Sequence, residues 1–164
     1  MLIEAERLNR HAIIRRCGVT NDLGRRLAIS LLLLRLSLGL VMMVWAFDKI
    51  LNPGHGAAVF EGFYGLAGVK RSLIPMIGIA QASLVLAFLL GVARTWTYGA
   101  MLLMHGVTTL VSWSAYLQPL NNILFFSAWP MLAGLIALFL LRDEDRIATL
   151  GGRAGGRNLL QAHS

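Results

Sequence analysis

Seven polar side chains stand out from an otherwise apolar chain: Arg35, Lys49, Gln81, His105, Thr109, Ser112 and Tyr116. His105, Thr109, Ser112 and Tyr116 follow one another at steps of four, three and four, which places them on one face of a helix. Arg35 interrupts LAISLLLLRLSLGLVMMVWAFDKIL, a stretch long enough to cross a bilayer as a helix. An arginine near the middle of such a helix costs about 2.5–3.5 kcal/mol on insertion scales, so it must face protein or water rather than lipid. A fixed cation, a titratable imidazole and a row of hydroxyls suit hydrogen bonding and charge recognition inside an apolar bundle.

The elements that must position these residues follow from composition. The chain has 164 residues, 57% hydrophobic and only 14% charged, with a mean hydropathy of +0.66. A soluble domain of this size needs more polar residues to cover its surface. The reading is an all-α polytopic membrane protein, a bundle of four transmembrane helices with a short interfacial helix between spans 1 and 2. The spans are expected at about 27–51, 72–93, 95–117 and 122–141. Asn52-Pro53-Gly54 stops the first, Pro75 sits in the first turn of the second, and Pro130 should kink the fourth and free the carbonyl of Phe126. The connection 52–71 carries Phe60, Phe63 and Tyr64 and is too short to span, which suits an interfacial helix or re-entrant turn. Glu61 within it is a candidate partner for Lys49, Lys70 or Arg71.

Residues 1–26 form a basic N-terminal segment with Arg7, Arg10, Arg15, Arg16, Arg25 and Arg26. It is either an amphipathic helix on an anionic membrane face or a partly ordered tail, ended by the Gly18–Gly24 turn. It is too charged for the apolar core of a cleavable signal. Residues 142–164 are read as a polar tail, partly disordered, poorly ordered after about Leu150. Arginines crowd both termini and Arg94 lies in the second connection, whereas the first connection carries Lys70 and Arg71 and the third carries no charge. The positive-inside rule therefore puts both termini in the cytoplasm, in keeping with four spans. The formal net charge of +7 then reflects topology and anionic lipid, not nucleic acid. The lone Cys17 forms no intrachain disulfide and is read as a bystander thiol.

With that topology, Arg35, Gln81 and His105 fall within roughly 12–20 Å of the inner boundary at 1.5 Å per residue, on three helices that can meet. Three arrangements fit. One is a satisfied polar core in which Arg35 donates to Gln81 and to backbone or hydroxyl oxygens, fixing helix rotation. Another is a small polar pocket for a lipophile with carbonyl or acidic groups, such as a quinone. The third is a metal or haem site. No metal is expected, because His105 is the only intramembrane histidine and no carboxylate is expected at that depth. A haem with two axial histidines would need two protomers. Trp113, Trp129, Met42, Met43, Met101 and Met104 read as ordinary packing beside any such site.

The first span resembles the first helix of the DoxX family of small four-helix membrane proteins. Arg35-Leu36, Leu38-Gly39 and a helix-ending Lys49 near Pro53 match the family's pattern, and the stretch 57–68 and the AFLLGVA ending of the second span also fit. The resemblance covers roughly residues 27–141. The chain departs from the pattern at Gln81, where the family commonly has glutamate, at Trp45-Ala46, where it often has His-Gly, and around Trp129-Pro130. Without an acid at Gln81, Arg35 would take its counter-ion from a ligand. The resemblance implies a bacterial inner-membrane protein, a membrane subunit of a redox process that holds a quinone-like or lipid ligand. Arg35 would anchor the ligand's polar head, Gln81 and His105 would hydrogen-bond it, and Lys49 and Tyr116 would stand near the outer mouth. The alternative is a non-enzymatic assembly or scaffold protein for a partner membrane protein or a second copy. A transporter fits less well, since four spans leave little room for alternating access without oligomerisation.

Overall fold

The computed structural model describes residues 2–150, with side chains described from Asn21 onward. The side chains of Arg7, Arg10, Arg15, Arg16 and Cys17 and the tail 151–164 lie outside the described residues. Every regular element described is helical: α1 (Leu2–Leu51), α2 (Pro53–Tyr64), α3 (Leu73–Leu89), α4 (Arg94–Val111), α5 (Trp113–Tyr116), a 3-10 helix (Ile123–Ser127) and α6 (Ala128–Leu140).

α1 is 50 residues long, about 75 Å at the α-helical rise. The break expected between Gly18 and Gly24 does not occur. A helical glycine costs only about 1 kcal/mol relative to alanine, and a long helix absorbs that. Gly24 faces open space, so nothing there forces a turn. The helix ends where the sequence demands it. Asn52 amide nitrogen bonds the Asp48 carbonyl, the Asn52 side chain bonds the Asp48 carboxylate, and Pro53 starts α2.

α2 closes on Gly65, whose φ of 65° admits glycine readily and whose N–H donates to the Phe60 carbonyl. It is tied to its surroundings at both ends. The Asp48 carboxylate pairs with His55 Nδ1 at 2.6 Å, and the Tyr64 hydroxyl meets Thr108 Oγ1 at 2.9 Å. Phe63 packs on Phe125, ring centroids 5.4 Å apart. Glu61 is exposed and pairs with none of Lys49, Lys70 and Arg71. The acid of this region that finds a side-chain partner is Asp48, not Glu61.

α3 packs along α1 over most of its length, and α4 along α6. The two pairs share a core of Leu31, Leu38, Met42, Val85, Phe88, Tyr98, Met101, Leu135 and Leu138. The turn from α3 to α4 uses left-handed backbone at Gly91 and Ala93. The third expected span is interrupted at Ser112, after which α5 continues as a separate single turn. Pro130, expected inside a continuous fourth helix, instead follows a change of helix type. Residues 123–127 wind as a 3-10 helix, and Pro130 falls in the first turn of α6, where its missing N–H has no partner to lose.

The outer faces are as apolar as the core. Leu33, Leu36, Leu40, Val44 and Phe47 of α1 are exposed, as are Met76, Ile79 and Leu86 of α3, Leu103, Val107 and Leu110 of α4, and Ile136 and Leu140 of α6. A soluble monomer rarely presents contiguous apolar area of this kind. Two helical stretches, Asn21–Leu51 and Ile123–Leu140, are long and apolar enough to cross a membrane. α3 is apolar but shorter.

Candidate functional site

The polar groups do not converge on one point. They lie at three levels along the bundle, each closed by different partners.

Arg35 occupies the first level, fully buried. Its Nη1 donates to Asp145 Oδ2 at 3.0 Å and to the Tyr98 hydroxyl oxygen at 3.3 Å. Its Nη2 donates to the carbonyls of Ile147 and Ala148 at 2.8 and 3.1 Å. Tyr98 donates its own proton to Asp145 Oδ2 at 2.6 Å. Three elements build this cluster: α1 brings Arg35, α4 brings Tyr98, and the segment after α6 folds back to bring Asp145. Arg94, at the start of α4, pins that segment by donating to the carbonyls of Arg142 and Asp145. The Leu150 N–H donates to the Leu90 carbonyl, which completes the seat.

The expected meeting of Arg35 with Gln81 and His105 therefore does not form. Side chains on a helix lean toward its N-terminus, so the long arginine stem reaches to the α1 entry end of the bundle and away from the middle. The expectation that a ligand must supply Arg35's counter-ion is corrected as well, because Asp145 supplies it within the chain. Residues 142–150 form a docked segment. A run such as Arg142-Asp143-Glu144-Asp145-Arg146 reads as a solvated charge cluster, and two of its three acids are indeed exposed. The signal that could have found Asp145 is the arginine itself. A buried guanidinium demands a carboxylate, and this run is the acidic group that follows the last apolar helix. Tyr98→Phe removes the 2.6 Å bond and leaves the Asp145 carboxylate one partner short. A loss of about 1–3 kcal/mol is expected in a detergent unfolding titration.

Gln81 marks the second level. Its amide nitrogen donates to the Met42 carbonyl at 3.2 Å, a bridge from α3 to α1. Met42 lies seven residues beyond Arg35, about 10 Å further along α1. Gln81 thus fixes the rotation of α3 against α1 and does not reach Arg35.

His105 marks the third level, about 10 Å beyond Tyr98 on α4. It is buried and stacked on Trp45 of α1, ring centroids 5.9 Å apart at 25°. Its Nε2 lies 3.0 Å from the Ala128 carbonyl at the start of α6. A carbonyl only accepts, so Nε2 carries the proton in this contact and Nδ1 of the neutral ring is a lone-pair acceptor. Nδ1 is buried and has no partner. The hydroxyls beyond it are engaged. Thr109 Oγ1 donates to the His105 carbonyl at 2.8 Å and Ser112 Oγ to the Thr108 carbonyl at 2.9 Å, both turned back on their own helix. The Tyr116 hydroxyl donates to the Thr109 carbonyl at 3.1 Å, an acceptor released where α4 ends. The Tyr116 ring lies between Phe126 and Trp129, at 5.5 and 5.7 Å. His105, Thr109 and Ser112 are buried along α4 and its end, Tyr116 lies on α5 beyond the break, and His105 is the member of the four with an unmet hydrogen bond. Lys49 stands apart from it. Its ammonium donates to the Trp45 carbonyl at 3.3 Å, and its stem lies between Gly56 of α2 and Gly78 of α3.

Comparison of the chain with family models, with curated proteins and with solved structures gave no match.

Proposed function

We propose that the chain is a DoxX-like protein of the bacterial inner membrane, a membrane subunit of a redox process that holds a quinone-like or lipid ligand beside His105. In this reading α1, α3, α4 and α6 are the four spans, α2 lies at the outer interface, and both termini are cytoplasmic. The single observation that carries the ligand is the unpartnered Nδ1 of a buried imidazole. An orphaned acceptor at such depth costs about 1–3 kcal/mol, which a bound O–H or N–H donor recovers. The aromatic rings around this level, Trp45 at 36% exposure and Trp129 at 49%, reach the outer surface, so a flat lipophile would arrive from the lipid side. Since Nδ1 accepts, the matching head group is a hydroxyl, as on a quinol, in preference to a quinone carbonyl. Arg35 is no longer needed as its anchor.

The test is mass spectrometry of what co-purifies in mild detergent with wild type and with His105→Phe. Phenylalanine keeps the ring volume and loses the bond to Ala128, at about 0.5–1.5 kcal/mol. A small molecule present in wild type and absent from the variant is expected. Equal retention by both places the ligand elsewhere. Reporter fusions at the two ends are expected to read cytoplasmic, and an external signal from either would remove the four-span topology.

A second reading, a non-enzymatic assembly protein for a partner membrane protein, is favoured by the in-chain neutralisation of Arg35. Wild type free of small molecules but carrying a stoichiometric protein would select it.

A further inference from the structure

The segment from Arg142 to Leu150 is attached in an unusual way. Of its side chains only Asp145 is fully buried, while Asp143, Glu144, Arg146, Ala148 and Leu150 are exposed. It is held by the guanidinium groups of Arg35 and Arg94, by the Tyr98 hydroxyl on Asp145, by Arg142 Nε on Thr95 Oγ1 and by one backbone bond, Leu150 to Leu90. Apolar burial, the main adhesive elsewhere in the bundle, contributes little here. Ala148 sits at φ 52°, a left-handed backbone that a non-glycine residue adopts at a cost. The seat is shaped for the segment none the less. Thr149 lies in the space a side chain on Gly91 would fill, its Cγ2 at 2.6 Å from that position, and Gly91 itself needs φ 62°.

The clamp is also unsaturated. Asp145 offers one oxygen, Oδ2, to both Arg35 and Tyr98. Its Oδ1, the Arg35 Nε and the Thr149 Oγ1 are all buried without partners. The strongest arginine–carboxylate geometry is bidentate, two parallel N–H···O bonds. The tether to the backbone holds Asp145 in a one-oxygen pose. A carboxylate free to turn could present both oxygens to the fork.

We propose that Arg35 and Tyr98 form a carboxylate-binding site at this end of the bundle, filled in cis by Asp145 of a releasable strap, residues 142–150. The site accepts a free carboxylate when the strap's own is removed. The seat is independent of any ligand at His105, so either can fail alone.

The test uses the full chain in detergent. Asp145→Ala deletes the carboxylate and leaves a cradle of formate size, so formate is the probe, with chloride at equal ionic strength, about 0.1 M, as control. Hydrogen exchange of residues 142–150 is read by mass spectrometry beside the thermal midpoint. In Asp145→Ala the strap is expected to exchange at least about 10-fold faster than in wild type, a larger increase than in α3 and α4. Formate is expected to raise the variant's midpoint by a few degrees, about the shift that binding at several times its dissociation constant gives. It should not raise that of wild type or of Arg35→Gln/Asp145→Ala. An indifferent variant, or one that formate stabilises equally without Arg35, would overturn the site. If Asp145→Ala does not fold, Asp145→Asn keeps the shape without the charge. Faster strap exchange in it supports the clamp, and exchange at the wild-type rate overturns it.

Discussion

Arg35→Leu is expected to destabilise the protein by about 3–5 kcal/mol in a denaturant titration in detergent, the usual cost of breaking a buried ion pair from one side. The reason is what the substitution leaves behind. Asp145 is fully buried and would keep only the Tyr98 hydroxyl as partner. The carbonyls of Ile147 and Ala148 would lose their donor as well. Leucine removes the insertion penalty of a membrane arginine, yet that gain does not compensate a carboxylate stranded without its cation. The surface pair Arg26–Asp22, also near 3 Å, makes the contrast. Its side chains are 75% and 59% exposed, and breaking it should cost no more than about 0.5 kcal/mol. Distance alone does not rank the two pairs; burial does.

Gly78→Val is the second large effect, with about 3 kcal/mol or failure to assemble as the expected outcome in the same titration. A Cβ at Gly78 would lie 2.9 Å from the Ala46 carbonyl oxygen, 2.8 Å from Ile50 Cγ1 and 3.0 Å from Lys49 Cβ. The first is backbone and cannot swing aside, so α1 and α3 must separate. Ala46 is wholly buried and small, so the two helices meet here nearly backbone to backbone. Gly39 makes the reciprocal contact on α1, where an added Cβ would collide with Leu89. That clash is with a flexible leucine side chain, so Gly39→Ala is expected to cost less than Gly78→Ala. Separation of α1 from α3 would also pull Met42 from Gln81.

The helical class and most element positions were legible, because apolar runs bounded by Pro and Gly leave little choice of element. Three boundaries were misread, among them the break of the third span at Ser112, and two of them have local reasons. Gly18 and Gly24 resemble a helix stop, yet glycine stops a helix only where the chain needs a left-handed turn or a change of direction. Pro130 resembles a mid-helix breaker, but the preceding residues wind as a 3-10 helix and the true start is Ala128, which makes the proline an ordinary first-turn residue. The buried polar residues of the helices were legible in part, and their pairing was not. Arg35, Gln81, His105 and the α4 stripe were visible as polar exceptions in apolar helices. Their common depth suggested contact, but depth counted along Cα positions ignores where a side chain points. Arg35 reaches toward its own N-terminus, and its partner came from a segment beyond α6 whose composition looks solvated. Tyr98 was missed altogether, since nothing in its sequence position sets it apart from the other aromatics. Only its hydroxyl, shared between Arg35 and Asp145, reveals it.

The most direct measurement is a double-mutant cycle on Arg35→Leu and Asp145→Leu, with unfolding free energies of all four proteins in one detergent. The clamp predicts strong coupling, about 3 kcal/mol or more, with the double variant more stable than either single one, since two leucines leave no buried charge. Additive losses, within about 0.5 kcal/mol, would contradict it and return Arg35 to the search for a partner outside the chain.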